Sequence, residues 1–404
     1  MKLGVLYISY DGMLEPLGQS QVLAYLKPLA QGRRIYLISF EKKDDWTIST
    51  DLERLKAEIN SASIVWHPLR YHKRPSAAAT AWDILSGIRL GLWLVLRHRL
   101  HVVHARSYVA SVMALSIKLL TGVKYIFDMR GFWADERVDG GLWIPGGKLY
   151  RVAKFFEKHF FLNSDHVVSL TQAAVKEIQG FDYLKDSSPP VSVITTCVDL
   201  NKFKSLPHNY AKGRFVLGYV GSAGTWYLFD EVVKCFTQLL LINPDAYFLI
   251  VNRGQHDYIS DKLLSAGIST DKFELTSSSH NEMPKLIARM HAGIFFYKAS
   301  FSRTACAPTR LGEFLACGKP CLSNAGVGDM AEVLEGYDVG IAMNSFDDAT
   351  IKVALKRLIA LSTNLAVQSR CVEAAAKHFS LVNGVNTYGA IYDQFKIELI
   401  EKRI

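Results

Sequence analysis

Residues 305–323 read Ala-Cys-Ala-Pro-Thr-Arg-Leu-Gly-Glu-Phe-Leu-Ala-Cys-Gly-Lys-Pro-Cys-Leu-Ser. The pattern predicts a loop, a helix entered at Pro308 and Thr309, a stop at Gly318 and a short strand. A missing N–H or a capping hydroxyl is favoured at a helix start, which suits these two residues. The first turn leaves backbone N–H groups free, with the positive end of the helix dipole behind them, and such a site holds phosphate well. Arg303 and Arg310 flank it with full charges. Glu313 follows on the same helix, placed to accept hydrogen bonds from sugar hydroxyls. Two readings stand side by side: a site for a sugar diphosphate, or a buried αβ connection whose glutamate pairs locally.

The rest of the chain supplies the context. Its 404 residues exceed the size of one hydrophobic core, so two domains are expected. Apolar runs alternate with helical stretches, which implies mostly parallel sheets with helices on both faces. In the first half the expected strands are 4–9, 34–40, 63–67, 102–105, 124–129, 166–170 and 192–195. A polar, proline-bearing break at 185–190 and a loop through 207–213 follow. The rhythm then restarts at 215–220, with further strands at 246–251, 272–275, 293–297 and 320–323. The fold class is α/β, with two Rossmann-like doubly wound domains facing a central cleft. Ligands of such sheets bind beyond the carboxyl ends of the strands.

Those strand ends carry the chemistry. Gly18 precedes the helix after the first strand. Arg106 ends the fourth strand; Asp128 and Arg130 end the fifth. The cations would stabilise a pyrophosphate or an anionic acceptor, and Asp128 would orient a hydroxyl. A structural Asp128–Arg130 network is the competing reading. In the second half, Gly221 and Ser222 offer backbone amides, Arg253 follows the strand 246–251 and Arg303 the strand 293–297.

Several classes are excluded. The first loop is not G-x-G-x-x-G, the run 141–149 misses the phosphate-loop spacing, and no G-x-S-x-G elbow is present. The six cysteines have no zinc spacing and suggest no disulfide framework, so no metal is expected and a reducing, cytoplasmic setting fits. The start of the chain reads as a strand without a signal-peptide layout, and no apolar run reaches membrane-span length.

The net charge is +9. Residues 148–161 interleave Lys148, Arg151, Lys154 and Lys158 with aromatic and aliphatic residues, and 82–100 behaves similarly. Basic amphipathic helices suit an anionic membrane surface; the plainer reading is that each apolar stripe faces the core. Charge alone is the only sign of nucleic acid, and no reading motif accompanies it.

These residues resemble the GT-B fold retaining glycosyltransferases of family 4, of bacterial surface-polysaccharide type. The likeness runs through Asp11-Gly12 with Gly18-Gln19-Ser20-Gln21, Phe127 to Trp133, Ser164 to Ser169, Val198 to Phe203, Gly218 to Ser222, and most specifically Ala307 to Pro320. The resemblance implies an acceptor-side domain, 1–198 completed by a C-terminal helix 386–404, and a donor domain, 199–385. It implies a nucleotide-sugar donor as substrate without a cofactor. The acceptor would be lipid-linked or an oligo- or polysaccharide, and the enzyme peripheral on the inner membrane face. Glu313 would bind the ribose. Gly18 and the amides after Pro308 would approach the diphosphate, with Arg253, Arg303 and Arg310 as its cations. Catalytic roles would fall to Arg106, Asp128 and Arg130.

Two departures stand out. The first Glu of the family's E-x7-E motif falls at Ala305, and 222–227 lacks the usual cations. The histidine many relatives carry after the fourth strand is matched by Arg106, with His104 two residues earlier. A degenerate, non-catalytic family member serving as a membrane- or partner-binding module and a sugar-nucleotide epimerase of the same fold are the alternative functions.

Overall fold

The computed structural model describes residues 2–43, 49–74, 76–206 and 214–401. The loop 207–213 and residues 402–404 of the expected C-terminal helix lie outside them. The chain forms two compact units: Met1–Ile194 with Leu381–Ile404, and Thr195–Ser380.

The first unit is built on seven parallel strands in the order β3-β2-β1-β4-β5-β6-β7. They are β1 (Gly4–Ser9), β2 (Arg34–Glu41), β3 (Ile64–Arg70), β4 (Val102–Arg106), β5 (Lys124–Asp128), β6 (His166–Ser169) and β7 (Val191–Val193). β1 is buried along its whole length, as expected of a strand covered on both faces. The strand order reverses between β1 and β4. In register there, Ser9 lies beside Arg106 and Arg106 beside Asp128. The sheet thus delivers two of the singled-out residues to its switch point.

The helical stretch 16–29 after β1 contains a π-helical turn, Gln19–Leu23. Gly18 is bare because its own loop needs the space: a Cβ there would meet the Gly12 carbonyl oxygen at 2.0 Å. The loop is pinned by Glu41, fully buried at the end of β2. Its carboxylate accepts from Met13 N at 2.8 Å, Leu14 N at 3.1 Å and the Ser39 hydroxyl at 2.6 Å.

Three neighbouring helices, Ser76–His98, Ser107–Thr121 and Lys148–Asn163, pack side by side. Gly87 and Gly91 of the first sit against Met113, Phe40, Ile117 and Leu6. Its other side exposes Trp82, Leu85, Trp93 and Leu96, and the third helix exposes Leu149, Val152, Phe155 and Leu162. Both apolar stripes were open to the reading that they face the core; the structure divides them between core and surface. Ala77–His98 is, by length and composition, apolar enough to cross a membrane, although Arg89 interrupts its apolar run. The helix Leu381–Glu401 belongs to this first unit, packing on the stretch 24–29.

The second unit has six parallel strands in the order β10-β9-β8-β11-β12-β13. They are β8 (Val216–Val220), β9 (Tyr247–Val251), β10 (Phe273–Thr276), β11 (Ala292–Ile294), β12 (Cys321–Asn324) and β13 (Gly340–Met343). The order reverses between β8 and β11. β13 and the helix Trp133–Asp139 have no counterpart in the sequence reading. Both are short, and β13 opens on glycine, so neither carries a readable period.

Candidate functional site

In the second unit, the opening segment forms a 3₁₀ turn, Phe301–Ala305, then the helix Thr309–Ala316. Pro308 occupies the N-cap and provides no side-chain cap. The stop at Gly318 is real: its φ is +73°, a conformation glycine adopts at little cost. Glu313 and Arg310 are both buried.

Arg310 sits where β8 and β11 end. Its guanidinium lies 4.5 Å from the ring centre of Tyr227, 5.5 Å from Tyr219, and 5.7 Å from both Phe295 and Tyr297. Such contacts stabilise a cation more when water is excluded. Tyr297 is fixed by reciprocal bonds with Asn324: its N–H donates to Oδ1 at 2.8 Å and its carbonyl accepts from Nδ2 at 3.0 Å. Burial works against the Arg310 charge, but the surrounding tyrosines outweigh it and hold its pKa above the usual value. Among the described residues it has no carboxylate within ion-pair distance, and its buried Nη1 has no hydrogen-bond partner.

The remaining donor-side candidates are less alike than the sequence suggested. Gly221 has φ +116° and lies against Arg310. The carbonyl of Ser222 accepts from the Tyr219 hydroxyl at 2.5 Å. Thr309 is the first helical residue. Arg303 is buried, stacks 4.5 Å from the Trp226 ring centre and contacts Cys306 Sγ at 3.7 Å. Arg253 is exposed and donates through Nε and Nη2 to the Ser278 carbonyl, at 3.2 and 2.9 Å. It braces the loop after β10. That loop brings His280 Nδ1 to 3.7 Å from Glu313 Oε1. Burial pushes the Glu313 carboxyl up to about 7, against the pull of Arg310 and Lys202. Burial, with Lys202 and Arg253, pushes His280 down to about 4. The pair is therefore not an ion pair near neutrality. Ala305 is buried, so the position of the missing glutamate is filled by packing.

In the first unit, Asp128 is buried and accepts from the Tyr388 hydroxyl at 2.8 Å. His104 Nε2 lies 3.7 Å and Arg130 Nη1 3.9 Å from its carboxylate. Burial raises the Asp128 pKa, but Arg130, His104 and Arg106 outweigh it and hold the carboxyl below its usual value. His104 Nδ1 bonds the Tyr392 hydroxyl at 2.6 Å, and burial lowers its pKa. Arg130 has φ +57°, unusual for a non-glycine and a mark of a constrained loop. Arg106 Nη1 donates to Asp11 Oδ2 at 2.8 Å. Arg106, Asp128 and Arg130 are thus brought together at the carboxyl ends of the central strands β4 and β5. The reading from sequence missed Tyr388 and Tyr392, which arrive from the far end of the chain, and the tyrosine cage. No local signal in the sequence marks the cage, because its rings come from the ends of two different strands.

The described residues contain no group of three His, Cys, Asp or Glu side chains able to hold a metal ion.

Residues 43–186 match the family model described as the glycosyl transferase 4-like domain. No curated protein gives a sequence match. Solved structures resemble the chain along almost its whole length. A glycosyltransferase from Rickettsia africae has a TM-score of 0.71 at 14% identity, covering 98% of each chain. Sucrose-phosphate synthase from Thermosynechococcus elongatus has a TM-score of 0.72 at 11% identity, covering 98% of this chain and 100% of its own. Anabaena HepE, solved with UDP and glucose, has a TM-score of 0.67 at 14% identity, covering 96% and 99%. The fold is GT-B. The matched domain and this fold support a glycosyltransferase.

Proposed function

We propose that the protein is a retaining glycosyltransferase that moves a sugar from a nucleotide sugar to a lipid-linked or polysaccharide acceptor. The observation that carries this reading is Arg310: a buried cation caged by aromatic rings, with no carboxylate partner among the described residues and its Nη1 unsatisfied, at the switch point of the second sheet, beside a helix start and the bare backbone of Gly221. The rings stabilise the guanidinium but carry no formal negative charge and leave Nη1 unsatisfied, and a ligand anion would meet both needs. A diphosphate would take the helix amides and Arg310, and the ribose would take Glu313. HepE is seen with UDP and glucose, which makes UDP-sugars the first donors to test.

In this reading the bond between sugar C1 and the phosphate oxygen breaks as the acceptor oxygen bonds C1 on the same face. The acceptor proton passes to the departing phosphate, whose charge is stabilised by amides and arginine rather than by a metal. Asp128, Arg130 and Arg106 serve the acceptor side.

The same reading places the enzyme on the inner face of a membrane. In the helices Ser76–His98, Ser107–Thr121 and Lys148–Asn163 the two acidic residues, Asp83 and Glu157, are both buried. Every exposed charge on them is basic: Arg89, Arg97, Lys148, Arg151 and Lys158. With the exposed tryptophans, that composition suits anionic headgroups.

Ala305 favours a second reading, a degenerate family member that binds a partner or a membrane without catalysis. A thermal-shift screen across UDP-, GDP-, ADP- and CMP-sugars, followed by a radiolabel transfer assay, separates the two. A stabilising donor with neither hydrolysis nor transfer would leave only the second. Anomeric configuration of the product, read by NMR, tests retention.

A further inference from the structure

We infer that the loop Arg70 to Arg74 in the first unit is a binding site for the phosphate or diphosphate of a lipid-linked acceptor. The inference rests on the glycosyltransferase reading and narrows its acceptor.

The segment reads Arg70-Tyr71-His72-Lys73-Arg74 and leaves the carboxyl end of β3. Its backbone is anchored: Tyr71 N–H donates to the Glu41 carbonyl at 2.9 Å, and the Tyr71 ring packs 5.5 Å from Tyr10. His72 is held by Asp83, a carboxylate only 1% exposed, on the helix that follows. Asp83 Oδ1 meets His72 Nδ1 at 2.6 Å, while Oδ2 accepts from His72 N–H at 3.1 Å and from the Tyr10 hydroxyl at 2.9 Å. Both carboxylate oxygens are spent on orienting this corner. Nε2 makes no bond among the described residues, and the His72 side chain is 38% exposed, so the ring serves as a fixed reporter beside the cations.

Around this fixed imidazole, Arg70, Lys73 and Arg74 are exposed and form no ion pair among the described residues. Three cations within five residues, unpaired among the described residues and carried on a backbone anchored through Tyr71 and His72, suit a phosphoryl group, which presents several acceptor oxygens at once. The neighbouring helix favours a lipid over nucleic acid as its bearer. Helix Ser76–His98 begins two residues after Arg74 and turns Trp82 and Leu85 outward. An amphiphile could place its phosphate on the loop and its chain along that stripe.

The test uses the full chain, labelled with ¹³C-histidine and saturated with UDP so that pyrophosphate cannot occupy the second unit. The His72 ring signal is assigned from His72→Gln. Inorganic pyrophosphate, farnesyl diphosphate, a single-stranded oligonucleotide, and vesicles of phosphatidylcholine with or without phosphatidylglycerol are the probes. The expected result is that pyrophosphate and farnesyl diphosphate move the His72 signal. The exposed double variant Lys73→Ala/Arg74→Ala should bind both about tenfold more weakly, with its other histidine signals unchanged. A His72 signal that stays still, or equal affinity in the double variant, overturns the assignment. So does a variant that loses only vesicle binding, which would make the loop a bilayer contact, or an oligonucleotide that displaces farnesyl diphosphate. Failure of UDP to bind would count against the donor site alone, because the loop is read by its own signal.

Discussion

The Arg310 guanidinium lies so close to Gly221 that a Cβ on the glycine would stand 2.2 Å from Nη2. Two segments nearly ninety residues apart therefore share one small volume, and neither tolerates a change in the other. Gly221→Ala must both strain a φ of +116° and displace the cation. We expect it to weaken UDP binding by about tenfold or more, roughly 1.4 kcal/mol, measured by calorimetry. Equal affinity would show that this contact does not serve the nucleotide.

Arg310→Lys keeps the charge but loses the planar group that stacks among Tyr219, Tyr227 and Tyr297. The predicted outcome is weaker donor binding than wild type, with Arg310→Ala weaker still and less dependent on salt. If all three proteins bind alike, Arg310 serves only to fill the cage.

Glu313 governs a pH dependence whose sign can be worked out. Its folded pKa of about 7 is above its ordinary 4.5, so the folded state keeps a proton that the unfolded chain releases. Its contribution to stability is present below about 4.5 and is lost as pH rises toward 7, by up to about 3 kcal/mol. His280, lowered to about 4, acts in the opposite sense: stability is gained as pH rises from 4 to 6.5. Urea unfolding of Glu313→Gln should show a steeper gain across pH 4–6.5 than wild type, because the opposing slope is gone. Parallel profiles would refute the assignment. Glu313→Ala should in addition raise donor KM and lower kcat together; unchanged kinetics would remove the ribose role.

Tyr388→Phe deletes the hydroxyl that satisfies Asp128 Oδ2 inside the first unit. Leaving a buried carboxylate oxygen short of a donor costs about 1–3 kcal/mol. Urea denaturation should show that loss, and a variant as stable as wild type would mean that water replaces the tyrosine.

On the outer helices, Trp82→Ala/Trp93→Ala removes two exposed rings without opening the core. Sedimentation with phosphatidylglycerol-containing vesicles should fall severalfold, while UDP binding stays the same. Undiminished sedimentation would show that these rings are not the docking face.

Much of this was legible in the chain. Hydrophobic rhythm located the strand-bearing segments of both sheets apart from β13, because strands covered on two faces must be apolar throughout and turns must interrupt them. Local chemistry marked the Pro308–Glu313 helix, since a proline at a helix start and a glycine at its stop act within a few residues. The fate of each charge was not legible. Nothing near Asp128 in sequence announces Tyr388, 260 residues away, and nothing near Arg310 announces four rings from two strand ends. Arg253, Arg303 and Arg310 look equivalent as letters, yet one braces a loop carbonyl, one stacks on Trp226, and one is caged with a nitrogen unsatisfied. Period and propensity are properties of neighbours along the chain, so sequence determines them. Burial and partnership depend on which distant segments the parallel crossovers bring together, and those the tertiary structure alone decided.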